Sequence, residues 1–144
     1  MKNIAAALFI ALSFSVNAQE KVIKPTDLPQ DALNFVQKYY KDVVVKKAVK
    51  DVDSDTKKVT YDVVLENKTE IEFKETGSWK EIDGKGQIIP IGIIPQPFVE
   101  YVAKNYPKAE FTKIEKGNPE IDITLSTGVK LVFDIHGKFV KVDK

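Results

Sequence analysis

The sequence predicts an α+β fold made of two tandem helix-strand-strand-strand repeats, with the helices packed on one face of an antiparallel sheet. The first observation behind this prediction is a repeated hairpin pattern, because Glu70–Asp83 and Lys130–Asp143 align at an offset of sixty residues. Each segment alternates apolar and polar residues around a central glycine, as a β-hairpin does. The second observation is a repeated helix start, in which Leu28-Pro29-Gln30 and Ile94-Pro95-Gln96 precede apolar residues at helical spacing.

The remaining elements follow from local patterns along the chain. The first helix is predicted to end near Tyr40, and the valine-rich segment 43–52 then indicates a strand whose lysine pair favours an edge or a bulge. Residues 59–65 alternate cleanly between apolar and polar and predict a half-buried strand. The same order recurs in the second half. One such unit is marginal alone, whereas two copies can share a core.

The N-terminal residues predict a targeting segment. Residues 1–18 combine a basic start, an apolar stretch too short to span a bilayer and small residues before the expected cleavage site. We therefore predict a signal peptide that is cleaved after Ala18. Residues 19–26 are expected to be a loosely ordered lead-in.

Residues 19–144 are predicted to form a single α+β domain. Its two repeats cover about 25–84 and 94–144. Residues 85–93, rich in isoleucine, proline and glycine, form the predicted connector, and we expect its isoleucines to pack on the core.

Composition excludes several classes of function. There is no cysteine, so disulfides, thiol nucleophiles and thiolate metal sites are excluded. All 22 basic residues are lysines against 21 acids, and the absence of arginine argues against a reader of phosphate or nucleic acid. Removal of Lys2 with the signal peptide leaves a formally neutral chain. We expect no cofactor, no nucleic-acid partner and no membrane span after signal cleavage.

These features resemble the secreted PepSY-like family, whose fold is similar to that of the proteinaceous β-lactamase inhibitor. The resemblance is carried by the predicted signal peptide, the two helix segments Leu28–Tyr40 and Ile94–Tyr106, and the paired hairpins, and it covers residues 25–144. It implies an α+β tandem repeat in the envelope of a Gram-negative cell and hints at protein binding or inhibition. A shared fold does not by itself assign that function.

Two aromatic residues at equivalent repeat positions, Trp79 and Phe139, are the leading binding candidates. If each hairpin has a two-residue turn, both fall on the sheet face opposite the helices, among charged residues. The candidate binding set on that face comprises Trp79, Phe139, Lys74, Asp134, Glu81 and Lys141. A longer turn would instead place the aromatic residues in the core.

No catalytic or metal-binding constellation emerges from the spacing of polar residues. His136 is the single histidine and lies in a predicted turn, so we interpret it as a turn residue. Asp51, Asp53 and Asp55 begin like a calcium loop, but Thr56 and Asp62 occupy the positions where that loop requires glycine and glutamate. We therefore expect a solvated turn there and no metal.

The sequence favours a non-catalytic binding protein of the periplasm or cell exterior. Its expected partner is another envelope protein, bound through the open sheet face in an inhibitor-like manner. A carrier of small apolar ligands is the alternative, suggested by the isoleucine-rich connector. A hydrolase that uses only carboxylates is the third hypothesis, although no acid pair stands out. The oligomeric state is not predicted.

Overall fold

A computed structural model describes residues 18–144 as two α-helices and one nine-stranded antiparallel sheet. The helices are α1 (Gln30–Tyr39) and α2 (Gln96–Asn105). In chain order the strands are β1 (Ala18–Ile23), β2 (Val45–Asp53), β3 (Val59–Leu65), β4 (Glu70–Lys74), β5 (Trp79–Asp83), β6 (Phe111–Lys116), β7 (Glu120–Leu125), β8 (Lys130–Asp134) and β9 (Phe139–Asp143). Each strand pairs with its neighbours in sequence, so the order in the sheet is also β1 to β9. The predicted α+β class is confirmed.

Both helices begin after a proline, as the repeated sequence predicts. Pro29 and Pro95 flank the first helical residues, where a missing N–H leaves no helical hydrogen bond unmade. In α1 the buried residues are Ala32 and Val36, and in α2 they are Phe98 and Val102. Each helix therefore buries one narrow stripe against the sheet and leaves its other side in water.

The core lies on one face of the sheet, which we call the helix face. Cross-strand partners carry a row of buried aliphatic side chains across five strands: Ile71, Ile82, Ile114, Ile123 and Leu131. The α1 residue Phe35 contacts Phe73 at a ring-centroid distance of 5.7 Å, and the α2 residue Phe98 contacts Phe133 at 4.9 Å. Burial of this row and the helix stripes supplies the apolar area that stabilises the fold.

Each helix is followed by four strands, whereas the sequence analysis predicted three. The difference arises because each predicted hairpin contributes two strands, β4 with β5 and β8 with β9. A register shift falls between Val45 and Lys47 in β2 and between Phe111 and Lys113 in β6. The bulge predicted at the lysine pair is therefore present, and it has a counterpart in the second half.

The expectation of a loose lead-in at residues 19–26 is wrong. Ala18–Ile23 forms β1, which pairs with β2 from Ala18 opposite Asp53 to Ile23 opposite Ala48. Strand formation here supplies backbone hydrogen-bond partners along the outer edge of β2. The predicted signal peptide falls almost wholly on residues 1–17, which lie outside the described part of the chain. Within residues 18–144 no helix is long and apolar enough to cross a membrane.

The connector packs on the core through some of its isoleucines. Ile89 and Ile93 are buried, whereas Ile88 and Ile91 are exposed. The Ile89 N–H donates to the Phe111 carbonyl oxygen at 2.8 Å, which ties the connector to the first residue of β6. Its prolines and glycines permit these irregular turns, and a short 3-10 helix, Ile91–Ile93, leads into α2.

Candidate functional site

The sheet face opposite the helices carries a row of acidic residues. Each strand from β3 to β7 carries one acidic residue of this row. In the strand registers, each of these acids lies directly opposite the acid on the neighbouring strand. We call this set the acidic row: Asp62, Glu72, Glu81, Glu115 and Asp122. We call the face that holds it the open face, because among residues 18–144 neither α-helix packs on it. Cross-strand partners have Cβ atoms about 5 Å apart, so neighbouring carboxylates repel one another.

Lysines neutralise part of the acidic row. The Lys113 ammonium lies 3.2 Å from a Glu81 carboxylate oxygen and 4.0 Å from Asp83, and Lys80 lies 3.9 Å from Glu72. Within the described chain, no ion pair within 4.0 Å reaches the row's remaining acids: Asp62, Glu115 and Asp122. The row therefore keeps a negative character, although the chain as a whole is close to neutral.

Two acids of the row, Asp62 and Glu72, have a raised pKa, which favours their neutral forms. Burial raises the pKa of Asp62 to about 6, and the neighbouring charge of Glu72 adds to the effect, followed by Asp51. The Asp62 residue as a whole is exposed, so the shift reports shielding of its carboxyl group together with crowding of like charge. Burial also raises the pKa of Glu72, against the opposing influence of Lys80. At these two acids of the row, burial therefore makes the negative charge costly.

The acidic row is a line across the sheet rather than a cage. Among residues 18–144, no three histidine or acidic side chains converge closely enough to hold a metal ion. At the predicted aspartate turn, the Asp53 Oδ1 atom accepts hydrogen bonds from the Asp55 and Thr56 N–H groups at 2.9 and 2.8 Å. These two backbone bonds lower the pKa of Asp53, so its carboxylate acts as a turn acceptor.

The prediction that Trp79 and Phe139 lie on the open face is wrong. Trp79 is only 9% exposed and belongs to the core, and Phe139 packs against the core from the edge strand. The register shifts by one residue just beyond each turn, so that Phe73 pairs with Trp79 and Phe133 with Phe139. Each turn therefore has three residues rather than two, which brings Trp79 and Phe139 to the helix face. The bulge at the next residue then returns the rest of each strand to the expected register.

The two aromatic residues have different neighbours on the helix face. Phe139 stacks on Tyr101 of α2 with ring centroids 4.9 Å apart. The ring of Trp79 is covered by the Lys116 ammonium, 3.7 Å from its centroid. Burial, with a smaller contribution from Lys74, lowers the pKa of Lys116, so the indole face supplies part of the stabilisation that water would give its charge.

The other four residues of the candidate set lie on the open face, but they are dispersed over it. Glu81 belongs to the acidic row, Lys74 pairs with Thr60 near one end of β4, and Lys141 pairs with Val132 at the far edge. Asp134 is engaged locally, because its Oδ1 atom accepts hydrogen bonds from the His136 and Lys138 N–H groups at 2.9 Å each. His136 is an exposed turn residue, as interpreted from the sequence.

Comparison with known proteins supplies the family. The family model described as beta-lactamase-inhibitor-like and PepSY-like matches residues 59–141. A proposed periplasmic protein of the DUF2874 family from Bacteroides vulgatus ATCC 8482 is 31% identical, with a TM-score of 0.82, covering 88% of this chain and 98% of that one. No curated protein matches the chain.

Two further solved structures are similar over most of the chain. A proposed calcium-regulated periplasmic protein from Bacteroides thetaiotaomicron is 33% identical, with a TM-score of 0.79, covering 87% of this chain and 97% of that one. A proposed periplasmic protein of unknown function from Bacteroides vulgatus ATCC 8482 is 30% identical, with a TM-score of 0.78, covering 88% and 100%. The predicted periplasmic or secreted location is confirmed by these relatives. The chain therefore belongs to the PepSY-like, beta-lactamase-inhibitor-like family.

Proposed function

We propose that this protein is a non-catalytic binding protein of the periplasm whose open face engages a lysine- or arginine-rich segment of another envelope protein. The observation that carries the proposal is the acidic row, in which five acids on successive strands face one another directly. The family is described by its likeness to an inhibitor, and inhibition of a hydrolase is one form of such binding.

The energetics of the acidic row favour a cationic partner. Like charges directly opposite one another destabilise a sheet, by an amount comparable to the roughly 0.2–1 kcal/mol that a favourable pair contributes. The row contains four successive pairs of this kind. A cationic segment laid across the strands would relieve this repulsion and replace it with attraction, so the row favours binding more than it favours folding.

A binding role also fits the positions of His136 and Asp134, the polar side chains that a catalyst would need. One is exposed in a turn and the other accepts hydrogen bonds from the backbone. His136 is the single histidine of the chain. A hydrolase of the carboxylate type needs two acids on either side of a bound substrate. The acids of the row instead lie side by side on one face of the sheet, in a line that crosses the strands.

A carrier of small apolar ligands is the second candidate. A cleft of about 420 Å³ lies along the connector, and its lining includes Ile88, Ile91 and Phe111. Ile88 and Ile91 are exposed, at 53% and 64%. A fluorescent apolar probe that binds at this cleft, and is lost on Ile91→Asp substitution, would favour the carrier over the protein-binding role.

The proposed function is tested by neutralising the centre of the row. We expect the Glu81→Gln/Glu115→Gln double variant to bind a lysine-rich peptide at least tenfold more weakly than the wild type, or about 1.4 kcal/mol. Isothermal titration calorimetry at low salt measures the affinity, and raising the salt should weaken wild-type binding because the charges are exposed. The matched control is Glu100→Gln/Glu110→Gln, which removes the same charge from two exposed positions outside the row.

Two outcomes would contradict the proposal. Equal losses in the test and control variants would show that only overall charge matters. Binding of an acidic peptide as tight as that of the basic one would show that the row plays no part. Cross-linking of the wild type in a periplasmic extract then identifies the natural partner, whose contact sites should map to the acidic row.

Calcium provides a further test, since one relative is described as calcium-regulated. Because no three acids of residues 18–144 converge on one point, we expect Ca²⁺ to displace the basic peptide no better than Mg²⁺ at equal concentration. Displacement by Ca²⁺ at a much lower concentration would instead reveal a calcium site formed on this face.

A further inference from the structure

The outer edge of β9 is, with that of β1, one of the two unpaired edges of the sheet formed by residues 18–144. Among residues 18–144, β9 pairs only with β8. Its equivalent in the first half, β5, pairs on both sides, with β4 and β6. Two valines of β9 are correspondingly exposed, Val140 at 48% and Val142 at 40%, whereas Ile82, the counterpart of Val142, is fully buried. An unpaired edge strand with exposed apolar side chains is a site for adding another strand.

The pairing of β5 with β6 shows what this type of edge accepts. Glu81, Ile82 and Asp83 lie opposite Glu115, Ile114 and Lys113 in an antiparallel ladder. The Gly84 N–H donates to the Thr112 carbonyl oxygen at 2.8 Å. Because backbone groups alternate sides along a strand, Ile82 also directs its N–H and C=O toward β6. The offset of sixty residues then gives Val142 the same outward direction in β9.

We propose that β9 pairs with β9 of a second copy of this chain, antiparallel and centred on Val142. The two-fold axis then passes between the two Val142 residues, which exchange backbone hydrogen bonds and bring their side chains together as Ile82 and Ile114 do. Lys141 of each copy lies opposite Asp143 of the other. Two ion pairs therefore flank the central valines, on the face that carries the acidic row.

Charge complementarity selects this partner and this register. An antiparallel pairing centred on Lys141 instead of Val142 would place the two lysines opposite each other, which is unfavourable. Pairing centred on Val142 avoids that repulsion, because Lys141 and Asp143 of each copy then lie opposite a residue of opposite charge. The resulting assembly is a continuous sheet through two copies, with both sets of helices on the same side. Its short contact makes it a weak dimer, formed at micromolar to millimolar concentration.

The test exchanges the two charges of β9 in the whole chain. Lys141→Asp places an acid opposite Asp143 of the second copy, and Asp143→Lys places a base opposite Lys141. We expect each single variant to dimerise at least tenfold more weakly than the wild type in sedimentation equilibrium. The Lys141→Asp/Asp143→Lys double variant restores both ion pairs and should dimerise like the wild type.

An equimolar mixture of the two single variants is the decisive sample. Among antiparallel registers, only the one centred on Val142 brings opposite charges together at both positions of the mixed pair, so we expect a heterodimer as strong as the wild-type dimer. A parallel pairing would place Lys141 opposite Lys141 in the wild type, so a wild-type dimer together with the heterodimer supports the antiparallel register. Circular dichroism checks that every variant is folded, and the double variant controls for the loss of the Asp143 neighbour of Lys130.

Four outcomes would overturn the proposal. A wild type that stays monomeric up to millimolar concentration excludes the dimer. Single variants that dimerise like the wild type place the contact elsewhere. A mixture of the single variants that stays monomeric contradicts the register centred on Val142. A dimer that is lost on Lys21→Glu substitution in β1 shows that β1, and not a second β9, takes part in the contact.

Discussion

The two halves of the molecule use the same elements but bury them differently. In the first half β5 lies between β4 and β6, and both Trp79 and Ile82 are buried. In the second half the equivalent Phe139 is half-buried and Val142 is 40% exposed, because no further strand of residues 18–144 follows β9 in the sheet. Equivalent sequence positions therefore differ in stability contribution according to their neighbours, and paired substitutions can measure the difference.

The largest contrast is expected at the two aromatic residues. We expect Trp79→Ala to lower the free energy of unfolding by about 3–5 kcal/mol, because it opens a cavity in the core and exposes Lys116. Phe139→Ala should cost about 2 kcal/mol, since the ring is half-buried and loses one stacking contact with Tyr101. Urea denaturation of both variants measures the two values. A smaller loss for Trp79→Ala than for Phe139→Ala would contradict the burial described here.

The aliphatic pair on the same strands sharpens the comparison. Ile82→Ala should destabilise the fold by about 2–5 kcal/mol, because Ile82 is fully buried between Ile71 and Ile114. Val142→Ala should cost less than about 1 kcal/mol at dilute concentration, where the edge of β9 is exposed. Thermal unfolding of the two variants side by side tests this, and equal losses would show that β9 is covered in solution.

The turn glycines differ in what surrounds them. Both have positive φ, +92° at Gly77 and +86° at Gly137, so any other residue is strained. A Cβ at Gly77 would lie 3.0 Å from the Ala32 backbone nitrogen, whereas a Cβ at Gly137 would meet side-chain atoms of Pro97. We expect Gly77→Ala to cost about 2–3 kcal/mol and Gly137→Ala about 1–2 kcal/mol by denaturant unfolding. The reverse order would show that α2 is held more rigidly than α1.

The smallest effect is expected from pH. The pKa of Asp62 in the folded protein, about 6, lies above its ordinary value of 3.8. The folded state therefore holds the proton more tightly than the unfolded state, and stability falls as the pH rises from about 4 to 6. Asp62→Asn should remove this loss and stabilise the protein by about 1 kcal/mol at pH 7, after allowance for solvent screening, with no difference at pH 4.

The control for this pH effect is Asp42→Asn, an exposed residue that follows α1. It should leave the pH dependence of unfolding unchanged. If the Asp62→Asn variant kept the wild-type pH profile between pH 4 and 7, the acidic row would not be the source of the dependence.

Much of the architecture could be predicted because it depends on local patterns. Apolar periodicity and the proline-marked starts locate both helices, and alternation locates strands such as β3 and β4. The combination of a three-residue turn and a following bulge could not be predicted. The bulged residues, Lys80 and Val140, have no sequence feature that indicates an extra residue in the strand. The third turn residue reversed the predicted faces of Trp79 and Phe139, and the bulge restored the expected face for the residues that follow.

The acidic row was missed for a different reason. Its central contact joins Glu81 of β5 to Glu115 of β6, and the connector and α2 separate these strands along the chain. No turn fixes that register, so it depends on how the two halves meet. β1 was missed because AQEKVI is short, shows no regular alternation of apolar and polar residues and follows a predicted targeting segment, so its pairing with β2 decides its structure.

The strand order in the sheet also governs how the chain can fold as it reaches its compartment. Because the spatial order is the chain order, each strand pairs with a neighbour that was exported just before it. A chain that emerges N-terminus first can extend the sheet one strand at a time, with loop closures that span at most one helix. The growing edge is briefly open at each step, and in the finished sheet of residues 18–144 the outer edges of β1 and β9 remain open. Vectorial export therefore suits this fold, since no strand has to wait for a distant segment.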